Sequence, residues 1–122
     1  MARVGALVPD LLFGSRVKGA LEAAGHQVDL FDQEDTARSR APECDVLIVD
    51  LGSADVDGAT LVESMLMGRE LGATRTLGFY PHVEAATRAR ALQAGFDLVV
   101  PRSRMARDGA ALVEELTAGR DD

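Results

Sequence analysis

The sequence predicts a three-layer α/β domain in which five parallel strands alternate with helices and lie in the order 2-1-3-4-5. Short apolar runs alternate with segments of helical periodicity five times along the 122 residues. The run 45–50, DVLIVD, holds four consecutive apolar residues, which is typical of a strand buried on both faces of a parallel sheet. Gly25 and Gly95 stand where the preceding helices need a C-terminal cap.

The first half of the chain provides three strands. Residues 4–8 predict the first strand, and a helix then ends at Gly25. Residues 28–31 predict the second strand, and residues 46–49 the third, which ends in a carboxylate. The polar, arginine-rich segment 33–42 between them fits either a short helix or a loop.

The second half repeats the alternation. Asp57-Gly58 is a turn signal before the third helix, which we expect to end near Gly72. The remaining elements are a strand at 76–80, a helix from 85 to Gly95, a strand at 98–100 closed by Pro101, and a helix around 112–116 that runs out at Gly119 into an acidic tail. Strands joined by such helices pair in parallel, so the ends of strands one and three lie side by side.

Composition limits the classes of function. We expect one domain over residues 1–122, with an apolar fraction of 47% and a net charge of −7. That charge argues against binding to nucleic acid or to an anionic membrane surface. The single cysteine, Cys44, fits a reducing compartment, and Pro9 and Asp10 interrupt the first apolar stretch too early for a signal peptide. We therefore expect a cytoplasmic protein.

Segments in matching order resemble the receiver domain of bacterial two-component response regulators. Segment 45–58, DVLIVDLGSADVDG, is similar to the receiver pattern of an apolar strand, the phosphoacceptor aspartate, a short loop and Asp-Gly. Segment 94–103, AGFDLVVPRS, resembles the end of that pattern, and segment 21–28, LEAAGHQV, resembles its first helix and second strand. The resemblance covers the whole chain. It implies a flavodoxin-like fold and a signalling role without enzymatic activity.

The resemblance implies that Asp50 occupies the phosphoacceptor position. Receivers hold a divalent cation with two acidic residues just after the first strand, and Val8 and Pro9 stand at those places here. Asp10 follows one position later. Asp10 and Asp50 are thus the candidate metal ligands, although a hard divalent ion usually takes more carboxylate groups. No other cofactor is expected, and Mg²⁺ only with a phosphorylatable site.

Two further positions depart from the receiver pattern. Arg102 stands where receivers carry a lysine that clamps the phosphoryl oxygens, and its planar guanidinium is not equivalent to an ammonium group. Tyr80 stands where receivers carry the serine or threonine that senses phosphorylation. Ser103 replaces the proline that follows the lysine. These departures indicate an atypical receiver, or pseudo-receiver.

Each of the singled-out residues also has a purely structural interpretation. Asp50 either accepts backbone N–H bonds in its loop or pairs with Arg102, and Asp10 caps the first helix. Arg102 is either an ion-pair partner or the binder of an anion at this edge. Tyr80 roofs the pocket as an ordinary amphipathic residue. The remaining expectations are a solvated His82 before the fourth helix, a solvent-facing His26 and a buried, inert Cys44.

Receivers commonly contact partners through the fourth helix, fifth strand and fifth helix. By resemblance this face would carry Arg88, Ala89, Arg104, Met105 and Arg107. We expect a protein partner, a kinase or an output protein, and consider a homodimer through the same face.

Three interpretations of function remain open at this stage. The first is a stand-alone receiver-like module that acts by protein–protein contact without an ordinary Mg²⁺-dependent phosphorylation cycle. The second is a divergent response regulator that is phosphorylated on Asp50. The third is a small flavodoxin-like domain that binds an anion at Arg102. A dinucleotide site is not expected, because no G-x-G-x-x-G motif follows a strand.

Overall fold

The structure is a computed structural model that describes residues 1–81 and 84–118. The predictions for His82 and for the acidic tail from residue 119 lie outside the described residues. Within the described part of the chain, no helix is both long and apolar enough to cross a bilayer.

A five-stranded parallel sheet forms the centre of the domain. Its strands pair in the order β2-β1-β3-β4-β5, which confirms the predicted topology. The strands are β1 (Arg3–Leu7), β2 (Gln27–Phe31), β3 (Val46–Asp50), β4 (Arg75–Tyr80) and β5 (Leu98–Pro101). All five residues of β3 are buried, as expected for the central strand of a sheet covered on both faces.

Helices cover both faces of the sheet. They are α1 (Leu11–Ala23), α2 (Glu34–Arg40), α3 (Gly58–Met67), α4 (Ala85–Ala94) and α5 (Arg102–Thr117), with a short 3₁₀ turn at Ala41–Glu43. One apolar core lies under α1 and α5 and the other under α2, α3 and α4. Alternate β3 residues feed the two cores, with Ile48 in the first and Val49 in the second.

Segment 33–42, for which the sequence left a helix and a loop open, is mostly helical. Arg38 anchors α2 to the chain after α3 through a two-nitrogen contact with the carboxylate of Glu70, and it also donates to Ser64 Oγ at 3.0 Å. The hydrogen bond to Glu70 raises the pKa of Arg38, so the guanidinium stays charged. A polar segment thus becomes a helix through a contact with a residue far along the chain.

Glycine caps agree with the prediction at two of the three helix ends that the sequence located. Gly25 and Gly95 adopt φ of 96° and 107° after α1 and α4, a conformation that favours glycine. The expected end of α3 near Gly72 is wrong, because α3 ends at Met67. Beyond Gly68 the chain turns through Arg69 at φ 56°, and Gly72 belongs to this following turn.

His26 is buried, which corrects the expectation that it faces solvent. Its side chain is only 7% exposed, because the Ala2 N–H donates to Nδ1 at 3.0 Å and fixes the ring against the start of β1. Its Nε2 lies 3.4 Å from a carboxylate oxygen of Glu114 on α5. His26 therefore lies buried between the amino edge of the sheet and α5.

Two expectations for the last helix also change. The sequence located this helix only around residues 112–116, but α5 begins at Arg102 and continues to Thr117 with a local distortion at Asp108. Met105 was predicted on the exposed interaction face but is 1% exposed and packs in the core with Leu112 and Val113. Helical spacing places Met105 on the buried stripe of α5 while Arg104 and Arg107 point outward.

Candidate functional site

Parallel pairing of β1 and β3 brings the candidate acidic residues to one edge of the sheet. Leu7 of β1 pairs in register with Val49 of β3. Asp50 is the last residue of β3 and Asp10 lies in the chain after β1, so both are at the carboxyl edge, beside the point where the strand order reverses. β5 ends at the same edge and delivers Arg102, as the sequence predicted.

Asp50 is enclosed by its own loop. Its side chain is 6% exposed, and its Oδ1 accepts the N–H of Gly52 at 2.9 Å. The backbone of Gly52 packs against the Pro81 ring, since a Cβ added at residue 52 would lie 2.5 Å from Pro81 Cδ. The sequence left two structural interpretations of Asp50 open, an acceptor of loop N–H groups and a partner of Arg102. The structure agrees with the first of them.

Burial raises the pKa of the Asp50 carboxyl above its usual value. The N–H of Gly52 and the positive charge of Arg102 act in the opposite direction, while the negative charge of Asp10 adds to the increase. The charges of Asp10 and Arg102 therefore both affect the pKa of Asp50. With only 6% of its surface exposed, the Asp50 carboxyl group is also poorly accessible from solvent.

Asp10 has two partners. Its Oδ1 accepts the N–H of Phe13 at 3.1 Å, which caps α1 as predicted, and its Oδ2 lies 3.1 Å from a guanidinium nitrogen of Arg102. The Phe13 N–H, followed by Arg102, holds the pKa of Asp10 below its usual value. Arg102 therefore pairs with Asp10 and not with Asp50.

The side chains present do not fit a Mg²⁺ ion. Both oxygens of Asp10 already have partners, one of them a cation, and Asp50 offers a carboxylate that burial disfavours. In the part of the chain that the structure describes, no three His, Cys, Asp or Glu side chains group together as a metal site would require. The guanidinium of Arg102 supplies a positive charge at this edge.

Tyr80 is part of the core. It is 8% exposed, pairs in register with Pro101 of β5, and packs among the apolar residues under α2, α3 and α4. Its ring lies on the opposite face of the sheet from Phe79, which packs under α1 and α5. Tyr80 is therefore buried under the helices, which differs from the expectation that it roofs the pocket.

The predicted interaction face is exposed apart from Met105. Arg88 and Ala89 are exposed on α4, and Arg104 and Arg107 are exposed on α5. The guanidinium nitrogens of Arg104 and Arg107 lie 3.9 Å and 3.2 Å from a carboxylate oxygen of Asp108. This face is basic although the chain as a whole carries a net charge of −7.

Two contributors to this edge escaped the sequence reasoning. The Phe13 ring lies 4.1 Å below the carbon of the Arg102 guanidinium, a cation–π contact that orients Arg102. Pro81 covers the Asp50 loop through Gly52. Phe13 sits in a helical pattern that indicates only a core residue, so no local signal links it to Arg102.

The structure was compared with known proteins. No family model and no curated protein matches the chain. The signal receiver domain of a response regulator described as NarL, from Mycobacterium tuberculosis, is 27% identical, has a TM-score of 0.81 and aligns over 98% of both chains. The fold is that of a response-regulator receiver domain.

Two other receiver structures have the same fold at lower identity. The receiver domain of Francisella response regulator 1452 is 14% identical with a TM-score of 0.84, over 100% of both chains. A two-component response regulator from Clostridium difficile is 18% identical with a TM-score of 0.84, over 100% of both chains. Both alignments therefore span the full length of the chain.

Burial of the Asp50 charge predicts that Asp50→Asn stabilises the receiver fold. Asparagine keeps an oxygen for the Gly52 N–H but removes the charge, so we expect a gain of about 1 kcal/mol at pH 7. The folded-state pKa is raised, so the parent chain recovers stability as pH falls through that pKa, and the difference disappears in acid. Denaturant unfolding of both chains from pH 7 to pH 4 measures this.

The control for this prediction is Asp55→Asn, in the same loop. Asp55 is exposed, so its neutralisation should change the stability at pH 7 by less than about 0.5 kcal/mol. A stability difference for Asp50→Asn that is constant with pH, or a loss of stability at pH 7, would contradict the interpretation that burial opposes the Asp50 charge.

Proposed function

We propose that this chain is a receiver-like signalling module that acts by contact with a protein partner and has no ordinary Mg²⁺-dependent aspartyl phosphorylation cycle. The observation that carries the proposal is the ion pair between Asp10 and Arg102. It commits the Asp10 carboxylate, whose charge acts on Asp50, to an internal cation. In this view the site is that of a pseudo-receiver, and it is not an enzyme.

The enclosure of Asp50 supports the same proposal. A phosphoryl donor has to approach a carboxylate oxygen in line with the leaving group. Asp50 is 6% exposed under a loop that packs on Pro81, and burial disfavours its charged form. Attack on a phosphoryl group would require the loop to open and a cation to offset the charge that develops.

The proposed partner surface is the face of α4, β5 and α5. Arg88, Arg104 and Arg107 are exposed there and make it basic, and Ala89 is exposed beside Arg88. We propose that it binds an acidic protein surface, either of a kinase or output protein or of a second copy of the acidic chain. Binding to nucleic acid or to a membrane is not part of the proposal, and we propose a cytoplasmic location.

Intact mass measured after incubation with acetyl phosphate and Mg²⁺ tests the absence of a phosphorylation cycle. We expect no phosphoryl adduct on the parent chain, while a receiver known to accept phosphate is labelled in parallel. Asp50→Asn serves as the control for the site. An adduct on the parent chain that Asp50→Asn lacks would overturn the proposal and favour the divergent, phosphorylatable regulator.

A further inference from the structure

A groove between α1 and α5 lies beside the Asp50 site but does not include Asp50. It encloses about 520 Å³. Its lining residues come from the start of both helices and from the chain after β4: Phe13, Arg16, Pro81, Arg102, Ser103 and Ala106. Phe13, Pro81 and Arg102 also border the Asp50 site, whereas Arg16, Ser103 and Ala106 extend the groove away from it.

The apolar part of the groove is closely packed. Phe13 is 7% exposed, and its ring centroid lies 5.1 Å from that of Phe79, which is fully buried beneath it. The Pro81 ring is held against Gly52, and Ala106 is too small to fill the space. A preformed wall of this kind suits the flat or compact apolar body of a small molecule.

The polar part of the groove is cationic. Arg16 is exposed and has no ion-pair partner among residues 1–81 and 84–118. Arg102 lies over Phe13 with its guanidinium carbon 4.1 Å from the ring centroid, and Ser103 adds a hydroxyl group. The two guanidinium groups make the groove locally positive, although the whole chain carries a net charge of −7. They therefore favour an anionic group there.

We propose that this groove binds a small amphipathic organic anion, with its apolar body on Phe13, Pro81 and Ala106 and its carboxylate or similar group at Arg16 and Ser103. This inference goes beyond the proposed function, because it requires neither phosphorylation nor a protein partner. Arg102 belongs to both the groove and the pair with Asp10. An anion held at Arg16 and Ser103 therefore adds negative charge beside the Arg102 guanidinium and its pair with Asp10.

Benzoate is a suitable probe, and benzyl alcohol is its neutral counterpart. In a titration of the ¹⁵N-labelled full chain followed by two-dimensional NMR, benzoate should shift the amide signals of α1 and the start of α5 in a saturable way. Benzyl alcohol should bind about tenfold more weakly, because it lacks the charge that the arginines recognise.

Variants locate the site. Arg16→Gln should weaken benzoate about fivefold, and Ala106→Glu should abolish binding because it places a negative charge in the groove. Arg3→Gln is the matched control at the opposite edge of the sheet and should bind like the parent. Circular dichroism and the unperturbed parts of the NMR spectrum establish that each variant is folded.

Three outcomes would overturn the proposal: no saturable benzoate shifts, equal binding of benzyl alcohol, or equal loss of affinity in Arg16→Gln and Arg3→Gln. Each of these is independent of the acetyl phosphate experiment. A chain that takes no phosphoryl group and binds no benzoate would retain the proposed signalling function and lose only the groove ligand.

Discussion

Replacing Gly58 with alanine should destabilise the domain by about 2–3 kcal/mol. Gly58 begins α3 directly after the loop that carries Asp50, and an added Cβ would lie 2.2 Å from Val49 Cγ1. Val49 is fully buried in the central strand, and its β-branched side chain has little rotational freedom. The strand and the helix would have to separate, which moves the Asp50 loop as well.

Gly19→Ala is the matched control, because it makes the same chemical change in the exposed part of α1. A Cβ at residue 19 would have no other atom within 4 Å, so only the difference in helix propensity between glycine and alanine affects stability. That difference predicts that Gly19→Ala raises the free energy of unfolding by about 0.5–1 kcal/mol. Urea unfolding of the parent and both variants measures the two effects, which should have opposite signs.

The steric origin of the Gly58 effect can be isolated with Val49→Ala. If the clash with Val49 causes the loss, the double variant Gly58→Ala/Val49→Ala should be more stable than the sum of the single effects by at least about 1 kcal/mol. Strict additivity would show that Gly58 is needed for its backbone conformation and not for close packing against β3.

Periodicity and turn chemistry are local properties, and they predict most of this fold. The run 46–49 indicates a central strand because it is apolar without interruption, and Gly25 marks a helix end because that conformation favours glycine. The failures involve contacts between distant residues. His26 follows a glycine cap, which is typical of a solvated position, but the N–H of Ala2 holds its ring in the interior.

The candidate site also combines features that could be predicted from local sequence with features that depend on contacts between distant residues. Its location at the carboxyl edge and the cap at Asp10 follow from strand order and residue type, and both could be predicted. The choice of Arg102 between Asp10 and Asp50 could not, since it depends on where Phe13 places the guanidinium. Met105 was misplaced because resemblance located α5 on the partner face without specifying the rotation of the helix.

The pairing of Arg102 with Asp10 leads to the second prediction, on the response to Mg²⁺. In the parent chain, about 10 mM Mg²⁺ should leave the Tm unchanged relative to NaCl of equal ionic strength, because Asp10 is already paired with a cation. Arg102→Ala should lower the Tm by about 4 °C. It removes the contact with Phe13 and leaves Asp10 and Asp50 near each other without a positive charge.

In Arg102→Ala, the same Mg²⁺ concentration should restore about 3 °C of the lost Tm, because the two carboxylates are then available to a hard cation. The double variant Asp10→Asn/Arg102→Ala keeps an oxygen to cap α1 but loses the charge, and it should give no Mg²⁺ response.

Stabilisation of the parent by Mg²⁺ as large as that of Arg102→Ala would mean that Arg102 does not take the place of the metal. A Mg²⁺ response that survives in the double variant would place the ion away from Asp10. The expected pattern, a response in Arg102→Ala alone, would identify the Arg102 guanidinium as the internal cation that keeps the receiver site closed to a divalent ion.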